Sequence, residues 1–219
     1  MKLKKFYKNK KILITGHTGF KGSWLTSCLL AFGANVIGFS KNDEKLKHYK
    51  KNCFYKKVKN IYADITNYNH LEKEIKNLNP QIIIHLAAQA LVSDSYKDPY
   101  KTVETNVMGT LNVIEASKKL KNLKSLLIIT SDKCYLNKEI KKGYKEIDQL
   151  GGDDPYSASK ASAENIFNAY AKSFFCNQNQ YGYATARAGN VIGGGDWSKD
   201  RLIPDCIKSI IKKNKLMIR

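Results

Sequence analysis

The chain has 219 residues, a length that suits one α/β domain with a full core, or one domain and a fragment of another. Its formal net charge is +19, yet arginine occupies only three of the 38 basic positions, at Arg187, Arg201 and Arg219. Nucleic-acid-binding surfaces usually focus arginine and stacking aromatics in one patch, whereas lysine is spread along this whole chain, so the composition argues against a nucleic-acid partner. In such a chain an arginine marks a place where a bidentate donor is needed, and Arg187 and Arg201 both lie in stretches with other functional signals.

Membrane spans, secretory signals and disulfides are not expected. No run approaches the ~18 consecutive apolar residues of a membrane helix. The lysine-rich residues 1–11 lead into a strand without the apolar region of a signal peptide. The five cysteines are odd in number, scattered and never in a CxxC pair, which predicts free thiols in a reducing cytoplasm and no metal site.

Strand-like apolar runs alternate with amphipathic helix-like runs along the chain, which predicts an α/β fold with a doubly wound parallel (Rossmann) sheet. The predicted strands cover residues 12–14, 35–39, 58–62, 82–86, 126–129 and 183–188. The predicted helices lie within residues 24–32, 71–78, 99–120, 155–175 and 204–213.

Two of these helices have a clear start. Asp98-Pro99 and Asp154-Pro155 each place an acceptor for free N–H groups before a proline that needs no donor of its own. The first of the two helices is expected to carry one apolar stripe, formed by Val103, Val107, Leu111 and Ile114.

The first predicted strand runs into a glycine-rich turn. Gly16, Gly19 and Gly22 separate the strand from a helix, as in the opening of a dinucleotide-binding βαβ unit, where the pyrophosphate sits at the helix N-terminus. The spacing is GxxGxxG rather than GxGxxG, so an ordinary turn stays open as the alternative. Strand two ends in Ser40-Lys41, with Asp43 just beyond, so no clear acid marks the ribose site and the choice between NAD and NADP stays open.

Tyr156 and Lys160 are four residues apart on a predicted helix and therefore share one face. A tyrosine pKa near 10 makes a poor base at neutral pH, but a nearby ammonium and a positively charged nicotinamide both favour the phenolate. The pattern predicts a proton-transfer pair, with an ordinary amphipathic helix as the alternative.

Ser131, Asp132 and Lys133 follow the fifth predicted strand directly. In a doubly wound sheet ligands bind at the carboxyl ends of the strands. A hydroxyl, an acid and an amine in succession there can donate, protonate and accept, although a polar turn after a buried strand is the simpler alternative.

These motifs, in their order and spacing, resemble the extended short-chain dehydrogenase/reductase superfamily and, within it, the sugar-nucleotide 4,6-dehydratases. The matching stretches are GHTGFKGSWL at 16–25, HLAAQALV at 85–92, TNVMGT at 105–110, TSDKCY at 130–135, LGGDDPYSASKA at 150–161, ATARAGNVIGGGDW at 184–197 and DRLIPD at 200–205. Related dehydratases typically carry an Asp-Glu pair where this chain has Asp132-Lys133.

The resemblance implies a bound NAD and CDP-glucose as substrate. It implies that NAD is held by Gly16, Thr18, Gly19, Phe20, Gly22, Ser40, Asp64, Ile65, Ala87, Ala88, Asn106, Tyr156 and Lys160. It implies that the substrate meets Gln89, Asn190 and Arg201, of which the arginine suits a phosphate. Ala87 and Ala88 could instead be small packing residues, Asn106 could be structural, and His17 and His85 are expected to be structural.

The resemblance also implies the chemistry. Tyr156 removes the proton of the sugar 4-hydroxyl while hydride passes from C4 to NAD, Ser131 hydrogen-bonds the 4-oxygen, and Lys160 holds the ribose. Asp132 and Lys133 then serve loss of water across C5 and C6, and hydride returns to C6. Lys133 can act as a base only if burial or a positive neighbour lowers its pKa.

Members of this group continue well past the position of Arg219, so residues 1–188 are expected to form the NAD-binding domain and residues 189–219 the beginning of an incomplete substrate-binding region. A homodimer through helices 99–120 and 155–175 is implied in the same way. Two alternatives remain: another epimerase, reductase or dehydratase on the same scaffold, or a non-catalytic NAD-binding protein. The stretch TSDKCY argues against an epimerase, which does not need this acid–base pair.

Overall fold

A computed structural model of the chain describes residues 2–42, 49, 51, 53–175 and 182–215. Residues 1–189 form one compact unit and residues 190–219 a second, smaller one, and each is described by itself. Asp43 and Cys176 lie outside the described residues. The other four cysteines, Cys28, Cys53, Cys134 and Cys206, are free, as predicted.

The first unit contains the predicted parallel sheet. Its strands are β1 Lys11–Thr15, β2 Asn35–Ser40, β3 Lys59–Tyr62, β4 Ile82–His85, β5 Ser125–Ser131 and β6 Gly182–Ala188. They lie in the order β3-β2-β1-β4-β5-β6, and each adjacent pair is parallel. The chain reverses its direction of winding between β1 and β4, and this switch point is where doubly wound sheets bind their ligands.

Two buried clusters enclose the sheet because successive strand side chains point to opposite faces. In β1, Leu13 belongs to one cluster, whereas Ile12 and Ile14 belong to the other. The described helices are α1 Lys2–Tyr7, α2 Phe20–Ala31, α3 Tyr68–Leu78, α4 Val92–Lys97, α5 Pro99–Val103, α6 Gly109–Lys118, α7 Pro155–Tyr170 and, in the second unit, α8 Leu202–Lys212. Helices α1 and α4 were not among the predicted elements. Within the described residues, no helix combines the length and the apolar character needed to span a membrane.

Both aspartate–proline helix starts are confirmed. The Asp98 carboxylate accepts the Lys101 N–H at 2.8 Å, and the Asp154 carboxylate accepts the Ser157 N–H at 3.0 Å. These caps fix where α5 and α7 begin, and α7 is the helix that carries the predicted tyrosine–lysine pair.

The predicted apolar stripe of the helix that starts at Pro99 is wrong in its first turn, because Val103 is exposed. A π-helical segment, Glu104–Met108, separates α5 from α6 and changes which residues face inward. The face that is buried is polar at this point and its groups are satisfied locally. Thr102 donates to the Asp98 carbonyl at 2.9 Å, and Thr110 donates to the Asn106 carbonyl at 2.7 Å.

Candidate active site

The glycine turn lies between β1 and α2 and packs against the end of β4. Gly16 has a φ of +73°, and a Cβ there would lie 2.7 Å from the Ala87 nitrogen. A Cβ on Gly22 would lie 2.2 Å from the Gly16 carbonyl oxygen. Glycine is required at both positions because the main chain occupies the space of a side chain.

Helix α2 begins without a side-chain cap. Gly19 is its N-terminal neighbour, with extended dihedral angles and no side chain to accept a hydrogen bond. The first N–H groups of an α-helix have no partner within the helix and carry its positive dipole end. A glycine cradle followed by an uncapped helix therefore fits a pyrophosphate.

The end of β2 carries hydroxyl and amine groups. The hydroxyls of Thr18 and Ser40 share a hydrogen bond of 2.7 Å, and both side chains are buried. Lys41 Nζ lies 2.8 Å from the carboxylate of Asp64, the second residue after β3. Burial alone would raise the pKa of Asp64, but the hydrogen bonds from Lys41 and Thr66 outweigh it and hold that pKa below its usual value.

Asp64 and Ile65, which by the resemblance would flank the adenine of NAD, differ in the groups that they present to it. The Asp64 carboxylate is partly exposed. The Ile65 side chain is buried in the core against Gly109, and its carbonyl accepts the Asn112 side-chain amide at 2.9 Å. Ile65 therefore has only main-chain groups with which to meet a ligand.

A buried network of hydrogen bonds holds the chain at residue 87, directly after β4. Thr15 Oγ1 accepts the Ala87 N–H at 3.2 Å and lies 2.6 Å from Nδ1 of His85. His85 Nε2 lies 3.0 Å from Thr110 Oγ1, whose proton goes to the Asn106 carbonyl. These bonds assign the His85 proton to Nε2, and burial followed by the charge of a nearby lysine lowers the pKa of His85 to about 3. His85 is thus neutral and structural, in agreement with expectation.

His17 also belongs to the scaffold. It is fully buried, its Nε2 lies 2.9 Å from the Asn60 side-chain oxygen, and a Cβ on Gly38 would overlap its ring. Burial lowers the pKa of His17 despite its hydrogen bonds.

Asn106 joins the end of β4 to α7. Its amide oxygen accepts the Gln89 N–H at 2.8 Å, and its amide nitrogen donates to the Gln89 carbonyl and to Ser159 Oγ at 2.9 Å. Ser159 in turn donates to the Tyr156 carbonyl at 2.7 Å. The structural alternative for Asn106 is therefore strong, because it holds the loop after β4 against the turn that carries Tyr156.

The Gln89 side chain is engaged within the chain. Its amide nitrogen donates to the Leu91 carbonyl and to Thr102 Oγ1, and its oxygen accepts the Leu91 N–H at 2.5 Å. These bonds shape the loop after β4, and a contact of Gln89 with substrate stays a prediction.

Tyr156 and Lys160 are both buried in the first two turns of α7. Lys160 Nζ lies 5.9 Å from the centre of the Tyr156 ring. Burial, followed by the positive charge of Lys21, lowers the pKa of Lys160 to about 8, although Cys134 and Glu164 act in the opposite direction. At pH 7 the amine is thus still mainly protonated, as a tyrosine base requires of its neighbour.

The segment Ser131–Lys133, here called the acid–base turn, leaves the end of β5. Ser131 Oγ donates to Asp132 Oδ1 at 3.0 Å and accepts the Lys133 N–H at 3.3 Å. Ser131 is buried, whereas Asp132 and Lys133 are exposed. Lys133 was expected to act as a base if it is buried or has a positive neighbour. It is not buried in this structure, so the first of these two conditions is not met.

The acid–base turn opens onto a cleft of about 310 Å³. Its walls are formed by Asp132, Lys133, Tyr135, Asn137, Tyr144, Gly152, Asp153, Asp154 and Ser157. Ser157 is the neighbour of Tyr156, so the cleft reaches from the acid–base turn to the first turn of α7.

A buried glutamate on α7 is a functional candidate that was not predicted. Glu164 is fully buried and pairs with Arg187, whose Nη2 lies 3.0 Å from its carboxylate. The rarity of arginine and the matching stretch at 184–197 pointed to Arg187, but no sequence signal pointed to Glu164, which is 23 residues away.

Asn190 and Arg201 belong to the second unit. There the Arg201 guanidinium pairs with Asp196 at 3.1 Å, and Lys208 donates to the Trp197 carbonyl at 3.0 Å. Their contacts with a substrate stay predictions.

Comparison with known proteins places these motifs in context. The family described as GDP-mannose 4,6 dehydratase matches residues 13–212. The CDP-glucose 4,6-dehydratase of Salmonella typhimurium is 43% identical over 221 residues, covering 99% of this chain and 62% of that relative. The dTDP-D-glucose 4,6-dehydratase of Dictyostelium discoideum is 31% identical over 95% of this chain and 50% of its own length.

Among solved structures, the UDP-glucuronic acid 4-epimerase of Bacillus cereus, in complex with UDP-glucuronic acid and NAD, is 26% identical. It superposes with a TM-score of 0.79 over 94% of this chain and 64% of that one. The chain thus spans between half and two thirds of the length of these three relatives.

Proposed function

Because the chain belongs to the GDP-mannose 4,6-dehydratase family, in the extended short-chain dehydrogenase/reductase superfamily, we propose that it carries the cofactor half of a sugar-nucleotide 4,6-dehydratase acting on CDP-glucose. The observation that carries the proposal is that one cleft is lined both by Asp132 and Lys133 of the acid–base turn and by Ser157, which lies in the first turn of the helix that carries the buried Tyr156–Lys160 pair. The 43% identity to a CDP-glucose 4,6-dehydratase supports the choice of substrate.

The proposed cofactor is NAD, which the Bacillus cereus relative binds. The turn around Gly16 and the uncapped start of α2 fit its pyrophosphate, and Asp64 with the main chain of Ile65 would meet its adenine. Thr18, Phe20, Ser40, Ala87 and Ala88 complete the proposed contacts. When bound, NAD supplies a hydride acceptor and later returns the hydride.

The first proton transfer is assigned to Tyr156. Its phenolate would take the proton of the sugar 4-hydroxyl, and Ser131, whose hydroxyl donates to Asp132 Oδ1 in this structure, would turn its proton to the same sugar oxygen. Lys160 favours the phenolate through its positive charge, which its pKa of about 8 preserves at neutral pH. The product of this step is a sugar 4-ketone, which makes the C5 proton acidic.

Loss of water across C5 and C6 is assigned to the acid–base turn. One group takes the C5 proton, and the other gives a proton to the departing C6 hydroxyl, so one water leaves in total. The exposed Asp132 carboxylate and Lys133 ammonium can fill these roles only when bound substrate covers them, because removal of a proton from carbon requires a base that is shielded from water.

Incubation of the complete protein with CDP-glucose is expected to give the absorbance of a 4-keto-6-deoxy sugar in alkali. The same assay with UDP-, dTDP- and GDP-glucose tests the nucleotide. Absence of this absorbance with all four would refute the dehydratase proposal.

An epimerase is the second candidate, because the Bacillus cereus neighbour is one. The acid–base turn favours the dehydratase, since inversion at C4 needs no elimination. A 4-epimer formed from a UDP-sugar without a 4-keto product would favour the epimerase. NAD binding without turnover of any sugar nucleotide would favour a non-catalytic protein.

We further propose a homodimer, a cytoplasmic location and a role in deoxysugar synthesis for a surface polysaccharide such as lipopolysaccharide O-antigen. The dimer is supported by exposed apolar side chains on the predicted pairing helices, among them Tyr100, Val103, Met108 and Phe174. The location is supported by four free cysteines. Sedimentation equilibrium of the complete protein tests the dimer, and a monomer at micromolar concentration would exclude it.

A further inference from the structure

The buried pair of Glu164 and Arg187 is unusually well coordinated. Besides Arg187, the Glu164 carboxylate accepts from Thr130 Oγ1, and from Thr185 Oγ1 at 2.9 Å. The side chain of Glu164 is 1% exposed and that of Arg187 is 12% exposed. The pair therefore joins β5, β6 and α7 below the carboxyl ends of the two strands.

Stability alone does not explain this pair. Removing two charges from water costs several kcal/mol per ion, and apolar residues of equal volume are often as stabilising or more so. In a chain that uses lysine by default, an arginine here indicates that its planar fork is needed.

The second branch of the fork reaches the segment 135–151, here called the cleft loop. Arg187 Nη1 donates to the Glu146 carbonyl at 3.1 Å. The guanidinium also lies 4.8 Å from the centre of the Tyr135 ring, and that ring stacks on Tyr144 at 5.1 Å. The Tyr144 hydroxyl accepts the Lys138 N–H at 2.7 Å. The Arg187 guanidinium and the rings of Tyr135 and Tyr144 thus form one stack, which connects the cleft loop to the Glu164–Arg187 pair.

The ends of the cleft loop are closed by main-chain bonds. The Leu136 N–H donates to the Gln149 carbonyl and the Gly151 N–H to the Cys134 carbonyl, both at 2.9 Å. Tyr135 and Tyr144 line the cleft, and the acid–base turn leads directly into the loop. On the other side, Glu164 lies one helical turn beyond Lys160 in α7.

We propose that Arg187 and Glu164 form a positioning pair that fixes the cleft loop relative to α7, and so sets the distance between the acid–base turn and the tyrosine–lysine helix. The inference rests on the proposed function, because the distance matters only if both groups act on one substrate. A displacement of about 1 Å between reacting groups can cost about 100-fold in rate.

The test is Arg187→Lys, which keeps the positive charge beside Glu164 but loses the second branch and the flat stacking face. Trypsin cleavage at Lys138, Lys141, Lys142 and Lys145, mapped by mass spectrometry, is expected to become at least about tenfold faster, because local opening then costs less free energy. The melting temperature is expected to change by only a few degrees.

With the complete protein and CDP-glucose, the same variant is expected to lower kcat by about 10- to 100-fold and to change KM less than about twofold. The matched control is Lys118→Met, which removes another cation that pairs with a glutamate, at 3.0 Å, and lies over an aromatic ring, at 4.3 Å from its centre. The control is expected to change neither loop cleavage nor kcat.

Unchanged cleavage of the loop lysines would overturn the proposal, and so would faster cleavage at lysines throughout the chain with a matching fall in melting temperature. If Arg187→Lys does not fold, Glu164→Gln, which keeps the shape of the carboxylate, takes its place with the same expected results. If the unmodified protein turns over no sugar nucleotide, the proposed function fails, and the cleavage experiment alone decides on the positioning pair.

Discussion

The two ends of the candidate site differ in the groups that form them: main-chain groups form one end and side chains form the other. At the glycine turn the main chain does the work, since Gly16 and Gly22 leave no space for a Cβ and α2 starts without a side-chain cap. At the acid–base turn and α7 side chains form the site, and the pKa of one of them, Lys160, is lowered by burial and by the charge of Lys21 from a distant part of the chain.

This difference affects how each end tolerates change. A main-chain cradle fails when its shape is altered, and that failure is visible in folding. Replacement of a reacting side chain such as Tyr156 is expected to leave the fold intact, so its effect should be visible mainly in the chemistry.

The largest effect is expected for Tyr156→Phe, which removes the proposed proton acceptor and keeps the ring. We expect kcat of the complete protein with CDP-glucose to fall by about 10²- to 10⁴-fold, the usual range for loss of a general acid or base. The melting temperature and NAD affinity should change little, as measured by calorimetry. The control is Tyr96→Phe, on an exposed ring, and equal loss of activity in both variants would remove Tyr156 from the mechanism.

At the other end, Gly16→Ala is expected to destabilise the first unit by about 3 kcal/mol or more, because its Cβ would meet the Ala87 main chain and its φ is positive. Urea unfolding measures this change. The matched control is Gly143→Ala, where nothing lies within 4 Å of the added Cβ. If the two variants unfold at the same urea concentration, the turn is not the tight cradle described above.

The same division explains what could be predicted from the sequence. The glycine turn and the caps Asp98 and Asp154 are encoded within a few residues, so pattern and spacing were sufficient for them. The six strands were predicted to within two residues at each end, and the apolar runs of β1, β2 and β4 are buried on both faces, whereas the edge strands β3 and β6 are only partly buried.

Long-range partners were beyond such patterns. Arg187 stood out by residue type, but its pairing with Glu164 depends on the packing of β6 against α7. The buried face of the helix after Pro99 is polar because of a π-helical segment and local hydrogen bonds, so the apolar stripe misplaced Val103. The exposure of Lys133 likewise depends on how the acid–base turn leaves β5.

A smaller effect is expected from Lys160→Met, which should raise the stability of the protein at pH 7 although it removes a group proposed to serve the chemistry. The pKa of Lys160 is about 8 instead of 10.5, so below pH 8 its buried charge lowers stability by roughly 3 kcal/mol. The gain in stability of Lys160→Met will differ from this value because Met also alters the packing. The unmodified chain should gain stability as pH rises from about 8 to 10.5, because the unfolded chain keeps the proton longer. Lys160→Met should be more stable at pH 7 and should lack this rise. Urea unfolding at pH 7, 8 and 9.5 measures both, and parallel curves for the two proteins would contradict the assignment.

The smallest effect is expected at the ion pair of Lys41 and Asp64, which follow β2 and β3. This pair is partly exposed, so water and salt weaken it, and its removal should hardly change stability. Asp64→Asn, however, leaves the Lys41 ammonium without its carboxylate at the end of β2, where an adenosine ribose would lie. We expect NAD affinity to fall by about threefold and NADP affinity to rise by a similar factor, because a free cation attracts the additional phosphate.

Isothermal titration with both dinucleotides measures the ratio of the two affinities, and Glu72→Gln, which breaks the surface pair with Lys119, is the matched control. If the ratio stays constant in Asp64→Asn, the carboxylate does not contribute to the choice between NAD and NADP, and that choice must be made by the main chain of the turn.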